Sequence, residues 1–83
     1  MRIKLDVRRF DSVPGGYAFI DAAWSVRPLK GGDGVTCTSR VSEPVSSGYD
    51  SLVQGHQRAV AQLAGQIGAV AQAMTAGQRP SCP

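Results

Sequence analysis

The chain has 83 residues, 42% of them hydrophobic, with nine Lys and Arg against six Asp and Glu and a net charge of +3. That length holds one domain around one modest core, and the hydrophobic content excludes a disordered segment. No stretch approaches the roughly 18 continuous apolar residues of a membrane span, and Met1 leads straight into strand-like sequence without the succession of charged, apolar and small residues that marks an export signal.

From Arg2 to about Phe10 the residues alternate, Ile3, Leu5 and Val7 against Arg2, Lys4 and Asp6, which is the period of a half-buried strand. Arg8-Arg9-Phe10 breaks that parity, and a β-bulge or the end of the strand there would return Phe10 to the apolar face. Pro14-Gly15 suits a type II turn, because proline presets φ at the first central position and glycine tolerates positive φ at the second. A second strand over residues 17–27 places Ala18, Ile20, Ala22, Trp24 and Val26 on a core face and Tyr17, Phe19, Asp21, Ala23 and Ser25 on the other. Pro28 ends it. Lys30-Gly31-Gly32-Asp33-Gly34 reads as a hairpin loop with Asp33-Gly34 in the left-handed conformations of such turns. A phosphate cradle would need a helix directly after those glycines, and Val35-Thr36-Cys37-Thr38 is β-branched instead. The third strand, over 35–43, turns Val35, Cys37 and Val41 inward and Thr36, Thr38, Arg40 and Ser42 outward, and Glu43-Pro44 stops it.

Ser47 and Asp50 resemble a capping pair, so a helix is predicted over about 48–75. Its apolar stripe, Leu52, His56, Val60, Leu63, Ile67, Val70 and Met74, takes six steps across 22 positions, about 3.7 residues each, the spacing of a straight α-helix. Gln54, Gln57, Gln62, Gln66 and Gln72 give the outward face its polarity. Gly55, Gly65 and Gly68 each cost roughly 1 kcal/mol of helix propensity, so packing on the sheet must hold the helix. The Ala- and Gly-rich surface also leaves self-association open. The expected fold is α+β: a three-stranded antiparallel meander in the order 1-2-3, with one long C-terminal helix on one face, a single unit over 1–76 and a flexible tail over 77–83. Trp24, Ile20, Leu63 and Ile67 are the expected core anchors.

No residue pattern announces a reaction. His56 falls on the apolar stripe with no Ser or Cys nucleophile at a telling spacing and no paired acids, so it reads as structural rather than catalytic. Cys37 and Cys82 read as free thiols, Cys37 filling the core, because a bond between them would need the tail to fold back. Two distant thiols and one His offer no recognisable metal site, and no cofactor is expected. Arg2, Lys4, Arg8 and Arg9 would form the basic face of a small nucleic-acid-binding domain, which is the alternative function. Asp6 interrupts them, and a solvated strand face is the simpler reading.

Several short stretches carry a family resemblance. Leu5-Asp6-Val7 leading to Arg9-Phe10-Asp11, then Val13-Pro14-Gly15-Gly16 and Asp21-Ala22-Ala23-Trp24, resemble the C-terminal half of the ABC-type transport auxiliary lipoproteins, the PqiC-like proteins. Ser39-Arg40, Glu43-Pro44-Val45, Tyr49, Leu52-Val53 and the Ala- and Leu-rich helix follow in the family's order, so that the resemblance covers roughly residues 3–74. It implies a non-enzymatic periplasmic lipoprotein at the outer membrane. Such a protein works beside an MCE-type partner and an inner-membrane transporter component in moving lipid between membranes and keeping the envelope intact. The resemblance brings no catalytic residue, and nucleic acid is not an expected partner. The family's signal peptide, lipidated cysteine and N-terminal half have no counterpart here, so the chain reads as a truncated domain. Tyr17 and Phe19 would then face outward as a candidate interaction surface, and open strand edges would favour a homo-oligomer.

Overall fold

The computed structural model describes residues 1–29 and 31–83. Lys30, the first residue of the loop expected at Lys30-Gly34, lies outside the described residues. The elements are β1 (Arg2–Val13), β2 (Tyr17–Arg27), β3 (Val35–Pro44) and α1 (Tyr49–Thr75). The strands form an antiparallel meander in the order β1-β2-β3, and the helix packs on one of its faces. This is the α+β architecture the residue pattern predicts.

β1 continues to Val13, three residues past the expected end, because the break at Arg8 is a bulge and not a terminus. Val7 pairs with Ala22 and Arg9 with Asp21, so that Arg8 has no partner in the ladder. One extra residue restores the alternation, and Phe10 comes to lie opposite Ile20 on the apolar face. The turn after β1 is the expected one. The Gly16 N–H donates to the Val13 carbonyl at 2.9 Å, and Gly15 sits at φ +73°, the positive value a type II turn requires at its second central position. In the β2–β3 connection the left-handed residues are Gly31 and Gly32, at φ +85° and +111°. The expectation for Asp33-Gly34 was misplaced by two residues. Glycine takes positive φ at no steric cost, and two adjacent glycines lie just upstream of that pair.

The core is laid down by β2, whose Ala18, Ile20, Ala22, Trp24 and Val26 are all buried. Cys37 and Val41 of β3 join them from the same face. Helix α1 closes the layer over β2 and β3, but in its first turns along a different line from the one its large residues suggest. Gly55, Ala59, Leu63 and Val70 are its buried residues. Leu52, His56 and Ile67 are only half-buried, and Val60 stays 48% exposed. Over its first turns the helix docks through its smallest side chains. A Cβ placed on Gly55 would lie 3.4 Å from the Ala18 Cβ and 2.2 Å from Val45 Cγ1. Close approach of two backbones needs small residues at the contact, so over these first turns hydrophobicity alone points to the wrong flank, whereas from Leu63 onward the expected stripe is the buried one, with Val70 in the core and Ile67 and Met74 packed against it.

Two further expectations are corrected. The helix N-cap is Gly48, at φ +111° and without a side-chain cap, in place of the Ser47 and Asp50 pair. The hydroxyl of Ser51 instead accepts the Ser46 N–H at 2.9 Å. The cysteines are not free thiols. Cys37 and Cys82 are disulfide-bonded, with their Cα atoms 5.6 Å apart across 45 positions of sequence. The helix ends beside the start of β3, where Met74, Gly77, Gln78 and Pro80 face Val35 and Gly34 around a shared depression. The tail therefore needs only a few residues to reach back to Cys37.

Candidate functional site

Because α1 covers β2 and β3, the helix-side face of β1 is left open. Ile3, Leu5, Val7 and Phe10 point to the same side as the buried Val26, Trp24, Ala22 and Ile20 they pair with, yet they are 50%, 52%, 47% and 52% exposed. The core thus continues sideways into an apolar shelf in solvent. Beside the shelf, a shallow depression of about 450 Å³ is lined by Phe10, Val53, His56, Gln57, Val60 and Ala61.

His56 forms the wall between shelf and helix. Its ring stacks on Phe10 with centroids 4.2 Å apart and planes inclined by 13°. Its Nε2 lies 2.6 Å from the Ser12 hydroxyl, a residue 44 positions away that the bulged β1 carries alongside the helix. No linear spacing could have disclosed that pair. In a triad, a third group orients the ring of the base. Here Nδ1 is buried with no hydrogen-bond partner among the described residues. What the arrangement does show is a stack and one hydrogen bond that tie the end of β1 to α1.

Trp24 has a comparable structural setting. It is 2% exposed, and its Nε1–H donates to Ser39 Oγ at 2.8 Å. Ser39 in turn donates to Gln66 Oε1 at 2.5 Å. The chain of bonds links β2, β3 and α1 through the middle of the core, and satisfies a buried indole N–H that would otherwise be costly. Gln66, expected on the outward face, is half-buried and turned toward the sheet. Ser39 shares its parity with Cys37 and Val41, and that shared parity was the available signal for its burial. Of the other expected anchors, Ile20 is 2% and Leu63 5% exposed, while Ile67 packs half-buried against the same cluster.

On the opposite face of the sheet, Tyr17 is exposed and Phe19 half-buried. The guanidinium of Arg9 lies 5.3 Å from the Phe19 ring centroid and also pairs with Asp11 at 2.5 Å. Arg40 reaches Asp21 at 3.8 Å. Two of the chain's arginines are thus engaged with acids across this face. Among the described residues, no group of three or more His, Cys, Asp or Glu side chains is placed to hold a metal ion. No helix among them is long and apolar enough to cross a membrane.

No curated protein and no solved structure matches the chain significantly. Residues 1–68 match the family described as the ABC-type transport auxiliary lipoprotein component, a stretch that takes in all three strands and the helix as far as Gly68. The match therefore embraces the bulged hairpin, the Trp24 network and the open shelf alike, and the chain belongs to the ABC-type transport auxiliary lipoprotein family.

Proposed function

We propose that the protein is a non-enzymatic accessory subunit of an MCE/ABC-type intermembrane lipid transport system, acting in the periplasm by protein contacts at the outer membrane and supporting envelope integrity. The observation that carries this reading is the family match over residues 1–68. The Cys37–Cys82 disulfide agrees with it, since such bonds persist in oxidising compartments, the bacterial periplasm among them. Contacts with the transporter run through the uncovered sheet face bearing Tyr17 and Phe19, where an aromatic pair beside Arg9 offers the side-chain types that anchor protein interfaces. Membership in a transport family gives no support to nucleic-acid binding by Arg2, Lys4, Arg8 and Arg9.

The test is affinity purification of the tagged protein from envelope extracts of its host, with mass spectrometry of the partners, alongside permeability of a deletion strain to detergents and large antibiotics. The expected result is recovery of an MCE-type component and its inner-membrane transporter, with recovery lost in the Tyr17→Ser, Phe19→Ser variant. Recovery of neither component, together with an intact permeability barrier in the deletion strain, would overturn the proposal.

A further inference from the structure

The two sulfurs of the Cys37–Cys82 bond stand in unlike settings. Cys37 is 3% exposed and belongs to the core cluster of Trp24, Val26 and Val70, against which Val35 and Met74 pack. Cys82 is exposed, on a tail that leaves α1 through a glycine turn. The Gly77 N–H donates to the Met74 carbonyl and the Gln78 N–H to the Ala73 carbonyl, with Gly77 at φ +76°, the Schellman ending that turns a chain off the helix axis. Beyond Gln78, no backbone hydrogen bond holds residues 79–83 among the described residues. The Cys82 sulfur lies 3.3 Å from the Thr36 carbonyl oxygen. This tail follows residues 1–68, the stretch that matches the family, so membership says nothing of the bond.

We propose that Cys82 is the entry thiol for a protein disulfide oxidant and Cys37 the resolving thiol, with the bond closing on the docked fold. The Cys82 thiolate attacks one sulfur of the oxidant's disulfide. That S–S bond breaks, a mixed disulfide forms, and the oxidant's other sulfur leaves as a thiolate. Cys37 then loses its proton to water and attacks Cys82 Sγ, closing the Cys37–Cys82 bond and expelling the oxidant's remaining sulfur. The chain gives up two electrons and two protons, and the oxidant becomes a dithiol. A folded oxidant can reach an extended segment whose backbone is unbonded. Cys37, set in the core cluster between β3 and α1, is closed to a second protein but not to the chain's own tail. The fold also promotes the second step. Met74 packs against the cluster that holds Cys37, and eight positions separate it from Cys82, against 45 between the two cysteines. Ring closure weakens as roughly the 3/2 power of loop length, so the docked fold should close the bond at least about tenfold faster than the unfolded chain. The assignment does not rest on the transport reading, since it needs an oxidising compartment alone.

The reduced full-length chain, oxidised by a purified thioredoxin-fold disulfide oxidase and quenched with acid at intervals, tests this. Peptide mapping of the wild type should place the transient mixed disulfide on Cys82. The Cys37→Ala variant should accumulate that species at Cys82, whereas Cys82→Ala should form one at Cys37 at least about tenfold more slowly, because exchange requires access to the thiolate. With oxidised glutathione, whose disulfide urea leaves intact, closure of the wild-type mixed species should run at least about tenfold faster in buffer than in denaturing urea. In urea the two variants should react alike, which assigns their difference to the fold. A transient species mapped chiefly to Cys37, variants that react at equal rates in buffer, or closure no faster in buffer than in urea would each overturn the proposal. The wild-type mapping and closure rates decide it even if an alanine variant fails to fold.

Discussion

Alanine substituted for glycine within α1 should change stability with opposite sign at different positions. In a helix interior the exchange is worth roughly 0.5–1 kcal/mol in favour of alanine. At Gly65 and Gly68 an added Cβ would meet nothing within 4 Å, so that gain should appear in full. For a domain of this size it corresponds to a rise in Tm of about 2–8 °C. At Gly55 the added Cβ falls 2.2 Å from Val45 Cγ1, well inside the roughly 3.5–4.0 Å at which two carbons rest. Val45 is buried at 8% exposure, and its β-branched side chain has few alternative rotamers. The helix or the β3 end must therefore move, and overpacking of this kind costs about 1–3 kcal/mol. The steric cost outweighs the propensity gain, and Gly55→Ala should lower stability by about 1 kcal/mol. Thermal unfolding followed by circular dichroism, with the disulfide intact, gives all three values. In a Val45→Ala background the Gly55→Ala change should become neutral or stabilising, because the atom it strikes is gone. If Gly55→Ala raises Tm as much as Gly65→Ala, the docking of the helix through its small residues is wrong.

Reduction of the Cys37–Cys82 bond, or Cys82→Ala, should cost about 4 kcal/mol, the loop-closure entropy of a 45-residue separation. Urea titrations of the oxidised and reduced chain with matching midpoints would contradict this. Cys82 is the site to change, because it is exposed whereas Cys37 lies in the core at 3% exposure. Ser39→Ala should cost about 1–3 kcal/mol by stranding the buried Trp24 N–H, even though it removes one oxygen from an otherwise apolar layer. A loss below about 0.5 kcal/mol in the same titration, the range of an ordinary surface substitution, would show that the indole is satisfied some other way.

The strands were legible in the chain because a period of two survives in Ile3, Leu5 and Val7 and again in Ala18 through Val26. The turn was legible because Pro14-Gly15 admits few conformations. Even the bulge announced itself, as the one place where parity fails before Phe10. The helix was legible in extent, from Tyr49 to Thr75, and in rotation over its second half, where Leu63 and Val70 of the apolar stripe are buried; in its first turns Gly55 and Ala59 mark where the backbones come closest, and only the docked sheet decides that. The Ser12–His56 bond and the Ser39–Gln66 bond join residues whose separation along the chain carries no period at all. The disulfide belongs with them. Its formation depends on the helix ending beside the start of β3, a distance that no local pattern of residues encodes. What the sequence by itself determined is thus the set of elements, their order and the face each strand turns inward, since these follow from local sterics and from the alternation of apolar side chains. Tertiary structure alone decided which flank of the helix's first turns is buried, which polar groups meet, and that α1 leaves the apolar row of β1 uncovered, because each of these depends on where one element comes to rest against another.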